Sequence, residues 1–388
     1  MSAAPPAVRI LLIRPDHLGD VLLTLPAVAA LRSALPDAHI TYLVADGVAP
    51  VPRHCPAVDA TMTVPFPPLS AWPDPPGWAD AVARLAPALR GRFDAAILSR
   101  PDDPVSGALV AAAGVPIRVG FATPGTRPFL TVALPPPDRR HVAAVAINLA
   151  LAAAEQLGAP VQADTGRSPC FVPTADDEEE ASSVVGPPRR DGQAGPIVLH
   201  PGSGWPLKNW PSLRWGSLAA ALARRYGVTP FVTGGPREEA LVRAVVDASG
   251  RRARGLAGCL SLGGLAALFR RARLVIATDS GPLHLAAMVG APVVGLYGPA
   301  DPLEFGPWCP DDRRRIVRAQ LACSPCRTLA DPPCGVSIEP RCIGEIGVEA
   351  VLDAAANLLG ACDGRGAVGV GAPRVHPSDG VPPPWIRR

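Results

Sequence analysis

The sequence is almost without lysine and has no large excess of either charge. Lys208 is the single lysine among 37 basic residues, and 34 acidic residues leave a formal net charge of +3 over 388 residues. Nucleic-acid-binding domains carry a much stronger positive charge, so we expect no nucleic-acid partner. We attribute the arginine excess to a GC-rich coding sequence, which favours arginine, alanine, proline and glycine together. The isolated lysine is the exception to this arginine-rich composition.

Long hydrophobic runs are also missing. The N-terminal apolar segment does not reach the roughly 18 residues that a membrane-spanning helix needs, because it is interrupted by Arg14, Asp16, Asp20 and Arg32. The order of basic start, apolar centre and small-residue cleavage site that defines a signal peptide is absent as well. We therefore expect a cytoplasmic protein. The arginines at 313–315 are interpreted either as solvated surface or as a contact with the anionic inner face of the cytoplasmic membrane.

Two nucleotide-binding signatures are absent. No predicted strand is followed by the dinucleotide fingerprint G-x-G-x-x-G, and the segment around Lys208 does not fit the Walker loop G-x-x-x-x-G-K-[ST]. The first absence disfavours a dehydrogenase.

Nine cysteines, an odd number, do not resemble a secreted disulfide framework. Four of them follow the spacing C-x2-C-x7-C-x7-C, at Cys323, Cys326, Cys334 and Cys342. Four thiolates can hold a tetrahedral zinc ion, but a zinc ribbon has two C-x-x-C pairs and this segment has one. Zinc binding, reduced thiols and a disulfide in a proline-rich loop all stay open as interpretations.

Hydrophobic residues make up 48% of the chain, which excludes a wholly disordered protein, and the length predicts two domains. Strand-length apolar runs alternate with helical patterns, which predicts parallel sheets covered on both faces. We predict a first domain over 1–160, a linker over 161–195 that includes a short helical stretch, a second domain over 196–359 and a disordered tail over 360–388. The predicted strands are 8–14, 39–45, 60–64, 93–99, 117–121, 197–200, 229–233, 274–278 and 293–297. The predicted helices are 20–35, 78–90, 105–113, 141–157, 212–226, 237–248, 262–271, 283–289 and 348–359.

Ligands of such doubly wound halves bind beyond the carboxyl ends of the strands, so the motifs that follow strands are the candidate site. The first motif is R-P-D-H-L-G-D at 14–20. Gly19 permits a tight turn, and a carboxylate from Asp20 at the cleft can act as a general base toward a substrate hydroxyl. The alternative interpretation of Asp20 is a helix N-cap.

Two further motifs supply candidate anion and ribose ligands. In H-P-G-S-G-W-P-L-K-N-W-P at 200–211, the loop around Ser203 lets backbone N–H groups approach an anion, and Lys208 adds a mobile positive charge. The alternative is a glycine turn with a surface lysine. In T-G-G-P-R-E-E at 233–239, we expect Glu238 in the first turn of the next helix, where it can accept hydrogen bonds from ribose hydroxyls or simply favour the helix dipole.

The fourth motif, D-S-G-P-L-H at 279–284, links a strand to a helix that Pro282 opens. The first N–H groups of this helix, at Ser280 and Gly281, form a candidate diphosphate site. His284 lies in the same first turn and can donate to a phosphate or sugar oxygen, the alternative being a structural histidine.

In this order, the four motifs resemble those of glycosyltransferase family 9, the heptosyltransferases of lipopolysaccharide core assembly. The resemblance extends over about residues 8–359 and rests on L-G-D, H-P-G-S-G with K-N-W-P, G-G-P-x-E and D-S-G-P-x-H-L-A-A. It implies an α/β fold of the GT-B type, in which two Rossmann-like doubly wound domains face a central cleft. The N-terminal half would bind the acceptor and the C-terminal half the nucleotide sugar.

The resemblance also implies an inverting transfer that needs no metal or other cofactor, usually of heptose from ADP-heptose to a lipopolysaccharide-core or other cell-surface glycan. Asp20 matches the catalytic base, Lys208 the diphosphate ligand and Glu238 the ribose ligand. The donor-binding segment matches Asp279, Ser280, Gly281 and His284. Two alternatives stay open: another GT-B enzyme that uses a UDP-sugar, as a transferase or an epimerase, and a nucleotide-sugar-binding protein without turnover.

Overall fold

Two six-stranded parallel sheets form the framework of the protein. The computed structural model describes residues 7–65, 77–159, 167–187 and 195–362. The first sheet contains β1 (Arg9–Arg14), β2 (His39–Ala45), β3 (Ala60–Val64), β4 (Ala95–Leu98), β5 (Ile117–Phe121) and β6 (Val132–Leu134). The second sheet contains β7 (Ile197–His200), β8 (Phe231–Gly234), β9 (Arg254–Ala257), β10 (Leu274–Thr278), β11 (Val293–Tyr297) and β12 (Arg314–Arg318).

Helices cover the sheets. Those of the first half and the connection are α1 (Leu18–Ala34), α2 (Pro50–Arg53), α3 (Trp78–Leu89), α4 (Pro104–Ala112), α5 (Val142–Gln156) and α6 (Ala175–Val185). Those of the second half are α7 (Ser212–Tyr226), α8 (Glu239–Ala248), α9 (Leu262–Arg271), α10 (Gly281–Met288), α11 (Pro302–Phe305), α12 (Arg341–Gly344) and α13 (Val348–Cys362). No helix within the described residues has both the length and the apolar composition needed to cross a bilayer.

Both sheets have the same topology. Their strand orders are β3-β2-β1-β4-β5-β6 and β12-β11-β10-β7-β8-β9, all in parallel pairs. Counted from its own first strand, the second sheet repeats the order 3-2-1-4-5-6 of a Rossmann fold. The strand order reverses between β1 and β4 in the first sheet and between β7 and β10 in the second, so crevices open at the carboxyl ends of β1 and β7.

The central strands are buried because helices cover both of their faces. Ile10 to Ile13 in β1 and all of β10 are buried, and each such aliphatic side chain contributes about 1.5–3 kcal/mol on leaving water. Helix α1 packs on α5 within its own half and on α10 of the other half. The contact between α1 and α10 joins the two halves directly beside the cleft.

The structure corrects several predicted boundaries. Helix α1 begins at Leu18 rather than at residue 20, α10 at Gly281 rather than at 283, and α8 at Glu239 rather than at 237. The sequence did not predict three strands, β6, β9 and β12, all of which lie at sheet edges. Edge strands are half-exposed, so they lack the continuous apolar runs on which the prediction depended.

The segment predicted as a linker over 161–195 contains helix α6 within its described part. A capping box between Thr174 and Asp177 starts this helix, and Glu178 pairs with Arg270 and Arg271 to hold it against α9. Helix α13 continues to Cys362, into the range predicted as tail. The rest of that tail and the stretches 160–166 and 188–194 lie outside the described residues.

Candidate active site

A cleft of about 1560 Å³ lies between the carboxyl ends of the two sheets. It is lined by every residue predicted for catalysis and donor binding: Asp20, Ser203, Lys208, Glu238, Asp279, Ser280, Gly281 and His284. Of the four clustered cysteines, Cys326 also lines the cleft, whereas the other three do not. The structure therefore brings the predicted residues together from both halves, and their individual roles stay predictions.

Asp20 lies in the first turn of α1, and the N-cap residue of this helix is His17. The interpretation of Asp20 as the N-cap is therefore wrong. Its Oδ1 atom accepts a hydrogen bond of 2.9 Å from Nη2 of Arg14, and 24% of the side chain is exposed toward the cleft. Burial raises the pKa of Asp20, and the positive charge of Arg14 opposes that rise. One carboxylate oxygen is thus held by Arg14, and the other, Oδ2, lies 4.0 Å from Nδ1 of His17.

Arg14 is the centre of a buried charge network behind Asp20. Its Nη1 donates to the carbonyl of Ser99 at 2.6 Å, and its Nη2 also lies 3.3 Å from Oδ2 of Asp16. Although burial alone would raise it, the hydrogen bond from His17 and the charges of Arg14 and Arg100 lower the pKa of Asp16 to about 2. Asp16 is therefore ionised at neutral pH and holds the guanidinium in place for Asp20.

The same corner contains a group of possible metal ligands. Among the described residues, Asp16, His17 and Asp20 place three ligand atoms within 4.8 Å of one another. The guanidinium of Arg14 contacts both carboxylates, at 3.3 and 2.9 Å. The negative charge that a divalent cation requires is already paired, so the arrangement suits charge tuning of Asp20 better than metal binding.

Lys208 forms an ion pair with Asp279 across two motifs. Its Nζ lies 2.6 Å from Oδ2 of Asp279, and the two side chains are 15% and 5% exposed. Nε2 of His284 lies 3.8 Å from the other carboxylate oxygen. Burial lowers the pKa of His284 to about 4, so its imidazole is neutral at pH 7. The lysine is thus held at the cleft wall by a carboxylate, and it is not a surface lysine.

Helix α10 begins at the cleft, with Ser280 as its N-cap residue and Gly281 as its first residue. A Cβ atom on Gly281 would lie 2.7 Å from the side chain of Leu18, and one on Gly19 would lie 3.1 Å from His284. The starts of α1 and α10 therefore touch, and a larger residue at either glycine would require Leu18 or His284 to shift. This contact sets Asp20 opposite the N-terminus of α10, whose dipole attracts anions.

Glu238 is not in the first turn of α8, contrary to the prediction. It ends a 3-10 turn over Pro236–Glu238 and is the N-cap residue of α8. Its Oε2 accepts the N–H of Gly235 at 2.7 Å and lies 3.9 Å from Nε2 of His200. A Cβ atom on Gly202 would lie 1.8 Å from Oε1 of Glu238. The carboxylate therefore lies directly against the glycine loop that follows β7.

The hydroxyl of Ser203 contacts the carbonyl of Trp205 and Oδ1 of Asn209, each at 2.7 Å. Its side chain thus shapes the loop before Lys208, which leaves the backbone of the loop as the part that can contact a ligand.

Sequence reasoning missed part of the cleft wall. Glu304 and Arg327 form an ion pair of 2.6 Å there, and Arg139 reaches the cleft from the first half. An apolar section is formed by Leu256, Leu260, Leu262 and Leu265. Arg14 belongs to the first motif, but the motif alone did not indicate a role for it. Glu304 and Arg327 carried no motif, and only the folded chain brings them together.

Two Rossmann-like halves that face one cleft, with glycine loops and a helix N-terminus on one side and a carboxylate on the other, define the GT-B architecture. The comparison with known families specifies it further. The sequence model of glycosyltransferase family 9 (heptosyltransferase) matches residues 82–333, and the chain belongs to this family. The predicted family resemblance and enzyme class are thereby confirmed.

Relatives and solved structures agree with this assignment. Lipopolysaccharide heptosyltransferase 1 of Pseudomonas aeruginosa is 27% identical over 340 residues, which cover 82% of this chain and 86% of that protein. A family 9 glycosyltransferase from Veillonella parvula superposes with a TM-score of 0.72 at 27% identity, over 91% of this chain and 97% of its own. The ADP-heptose lipopolysaccharide heptosyltransferase II of E. coli gives a TM-score of 0.71 at 20% identity, over 92% and 100%. The predicted two-domain α/β fold is confirmed.

Proposed function

We propose that this glycosyltransferase moves a heptose from ADP-heptose to a hydroxyl of a lipopolysaccharide-core or related cell-surface glycan, with inversion at C1 and without a catalytic metal ion. One observation carries the proposal: Asp20, the Lys208–Asp279 pair and the start of α10 line a single cleft. The names of the relatives, which are lipopolysaccharide heptosyltransferases, support the choice of sugar and acceptor.

Departure of the nucleoside diphosphate is the step that the second half assists. Glycosyl transfer passes through an oxocarbenium-like state while negative charge builds on the leaving group. Lys208 supplies a positive charge that can turn from Asp279 toward the diphosphate, and the N-terminus of α10 supplies a favourable dipole. Together they provide the stabilisation that a metal ion provides in other transferases.

Activation of the acceptor is the step that the first half assists. Asp20 takes the proton of the acceptor hydroxyl as its oxygen forms a bond to C1 and the bond from C1 to the diphosphate breaks. Because Arg14 holds Oδ1, the proton goes to Oδ2. The base and the leaving group lie on opposite sides of the cleft, so attack from the far face inverts the configuration at C1.

Asp102 and Asp103 are adjacent acidic residues of the first half, and they do not offer a magnesium site for the proposed reaction. Asp103 is fully buried, and its Oδ1 caps helix α4 by accepting the N–H of Ser106 at 3.0 Å. Asp102 contacts the hydroxyl of Thr123 at 2.9 Å. Both carboxylates therefore serve the structure of the first half.

We place the enzyme in the cytoplasm, with the glycolipid acceptor at the inner face of the membrane. The arginines at 313–315 make internal contacts instead of forming a free basic patch: Arg313 donates to Gly290, Arg314 pairs with Asp311, and Arg315 donates to the carbonyl of Asp311. Any contact with the membrane would therefore be made by way of the bound glycolipid acceptor and not by these arginines.

A panel of nucleotide sugars tests the proposal. Purified protein is incubated with ADP-heptose, ADP-glucose, UDP-glucose and UDP-N-acetylglucosamine, with and without a lipopolysaccharide-core acceptor, and the products are identified by mass spectrometry. We expect transfer and ADP release from ADP-heptose, at the same rate in EDTA as in Mg²⁺. Transfer or epimerisation of a UDP-sugar would support another GT-B enzyme, and binding without transfer or hydrolysis would support a binding protein. Activity that EDTA abolishes and Mg²⁺ alone restores would contradict metal independence.

A further inference from the structure

A carboxylate and a guanidinium form a section of the cleft wall that the proposed mechanism leaves without a role. Oε1 of Glu304 lies 2.6 Å from Nη2 of Arg327, and Oε2 accepts hydrogen bonds from Nη2 at 2.9 Å and from Nε at 3.2 Å. Both side chains line the cleft, and they are 9% and 42% exposed. Glu304 thus holds one edge of the guanidinium. Within the described part of the chain Nη1 forms no hydrogen bond, so its N–H groups are available to a ligand.

Glu304 is fixed by the short helix α11, which is secured at both ends. At its start, Oδ1 of Asp301 accepts the N–H of Leu303 at 3.0 Å. At its end, the hydroxyl of Tyr297 donates to the carbonyl of Phe305 at 2.7 Å. Tyr297 is the last residue of the buried strand β11. The strand therefore sets the position of the Glu304 carboxylate.

Arg327 lies in the loop over 319–340 between β12 and α12, and its backbone is held at the same strand end. Its N–H donates to the carbonyl of Pro299, and the hydroxyl of Ser324 donates to the carbonyl of Gly298, each at 2.8 Å. Arg327 has a φ of 64°, in the left-handed region that residues with a side chain rarely adopt. Such backbone conformations persist only where the surroundings impose them, and they are frequent at ligand-binding sites.

The strand order of the second sheet distributes the groups of the cleft along a line. Glu238 and the apolar section of leucines lie at the ends of β8 and β9, and Lys208 and the start of α10 follow the central strands β7 and β10. Glu304 and Arg327 lie beyond these, at the end of β11. A nucleotide sugar is joined in the order base, ribose, diphosphate and sugar. With the ribose at Glu238 and the diphosphate at Lys208, the sugar is expected on the β11 side.

We infer that Arg327, positioned by Glu304, donates hydrogen bonds to hydroxyl oxygens of the transferred sugar and so contributes to the choice of donor. Because Glu304 compensates its charge, the guanidinium acts as a fixed planar set of donors. Such a set suits the neutral oxygens of a sugar better than a further anionic group. The inference rests on the proposed function, since that function places the ribose and the diphosphate.

Separate affinities for the nucleotide and for the nucleotide sugar test the inference. Calorimetry without acceptor compares ADP and ADP-heptose in wild type and in Arg327→Gly, because glycine adopts the left-handed backbone of this position without strain. The Kd of ADP-heptose should rise about tenfold, the loss for one hydrogen bond from a charged donor, while the Kd of ADP stays unchanged. Arg251→Gly is the matched control: Arg251 is exposed, has a φ of 58° and does not line the cleft. Both affinities should stay at the wild-type values in this control.

A double variant separates a lost sugar contact from lost stability. Arg327→Gly leaves the Glu304 carboxylate without its cation, and Arg327→Gly/Glu304→Gln removes that charge, so thermal stability should recover relative to Arg327→Gly. Because Glu304 acts through Arg327, Glu304→Gln alone should weaken ADP-heptose binding by a smaller factor. The double variant should then bind ADP-heptose no more weakly than Arg327→Gly. A wild-type Kd of ADP-heptose in the double variant would overturn the inference, as would equal weakening of ADP and ADP-heptose or a change confined to the acceptor KM.

The inference and the proposed function fail in different measurements. Wild-type protein that binds ADP but neither binds ADP-heptose nor transfers its sugar would contradict the proposed function. The ratio of the two Kd values is then measured with the nucleotide sugar that the wild type binds, paired with its own nucleoside diphosphate. A ratio that Arg327→Gly leaves unchanged would overturn the sugar contact for that donor as well.

Discussion

At the scale of single residues, the chemistry of the site depends on how one guanidinium is shared. Arg14 contacts Asp16 and Asp20, both of which line the cleft, and the Asp20 side chain is the more exposed of the two, at 24% against 8%. Asp16 stays ionised because its neighbours lower its pKa to about 2, whereas burial raises the pKa of Asp20. Two carboxylates four residues apart thus differ in role: one fixes the arginine and the other is free to accept a proton.

The first prediction concerns the base itself. Asp20→Asn should lower kcat by about 10²–10⁴-fold, because the amide cannot take the proton of the acceptor hydroxyl. ADP affinity, measured by calorimetry, should change little, since Asp20 belongs to the first half and the proposed ADP ligands belong to the second. Asp37→Asn, at an exposed turn position, is the matched control and should retain wild-type turnover. Unchanged kcat in Asp20→Asn would remove this residue from the mechanism.

The second prediction uses pH to test whether Arg14 acts through Asp20. Loss of the positive charge in Arg14→Gln should raise the pKa of Asp20 further, since Arg14 now lowers it. A base must be ionised, so the acid limb of the kcat/KM profile should move to higher pH. Arg14→Lys retains the charge and should move it less. Circular dichroism checks the fold, and an acid limb at the same pH in both variants would show that Arg14 does not set the pKa of the base.

The third prediction concerns the lone lysine. Lys208→Ala should weaken ADP binding by roughly tenfold to a hundredfold, the range for one charge-assisted hydrogen bond, and should also lower kcat. Arg224→Ala, an exposed cation of the same half, should leave both unchanged.

Removal of Lys208 leaves Asp279 buried without its cation, so lost stability must be separated from lost binding. The double variant Lys208→Ala/Asp279→Asn removes that unpaired charge. It should recover thermal stability relative to Lys208→Ala while ADP binding stays weak. Wild-type ADP affinity in Lys208→Ala would contradict a diphosphate contact.

At the scale of elements, the glycine loop after β7 packs closely against the turn before α8. Oε1 of Glu238 occupies the space where a Cβ atom of Gly202 would be, at 1.8 Å, whereas a Cβ atom on Gly204 meets nothing within 4 Å. Gly202→Ala should therefore displace the carboxylate and weaken ADP binding to the level of Glu238→Gln. Gly204→Ala, two residues along the same loop, should bind ADP normally by calorimetry. Equal affinity in both glycine variants would contradict the proposed contact of Glu238 with the nucleotide.

The elements also show which parts of the fold the sequence could reveal. Central strands such as β1 and β10 are buried on both faces and therefore appear as continuous apolar runs. Edge strands carry a different pattern: β12 is Arg-Arg-Ile-Val-Arg and β9 is Arg-Gly-Leu-Ala, and both are partly exposed. Pairing with a neighbouring strand, which no local pattern encodes, makes them strands.

The same distinction holds for the site. Asp20, Lys208 and Asp279 could be predicted because each follows a strand within a compact motif. The pairing of Lys208 with Asp279 could not, since it joins residues from two separate loops. Glu304 and Arg327 were missed altogether because their ion pair depends on the position of the loop at 319–340 beside α11.

At the scale of the whole molecule, two sheets of one topology are joined where the starts of α1 and α10 touch. Leu18 against Gly281 and Gly19 against His284 place the first half and the second half in direct contact beside the cleft. Because the contact is made by the first turns of both helices, it also fixes the separation between Asp20 and the diphosphate site. The two halves thus line one cleft although each has its own sheet.

The same architecture buries histidines at the cleft, which makes the stability of the whole chain sensitive to acid. Burial lowers the pKa of His200 and of His284 to about 4, against an ordinary value near 6.5. Between pH 6.5 and 4 the unfolded chain binds protons at these positions and the folded chain does not. The free energy of unfolding should therefore fall with falling pH, and at pH 4 the loss should reach up to roughly 3 kcal/mol per histidine.

Burial lowers the pKa of His141 to about 4 as well, so this histidine acts in the same direction, whereas other shifted groups titrate differently. Asp16, with its pKa of about 2, destabilises the fold only below about pH 4, and His17 acts in the opposite direction because its hydrogen bond to Asp16 raises its pKa. Urea unfolding at pH 7.5, 6, 5 and 4.5 should show a smaller loss of stability for His284→Gln than for wild type. His39→Gln, at an exposed position, should follow the wild-type curve. Identical pH dependence in His284→Gln and wild type would mean that the pKa of His284 is not lowered in the folded protein, which would contradict its burial as the cause of the acid sensitivity.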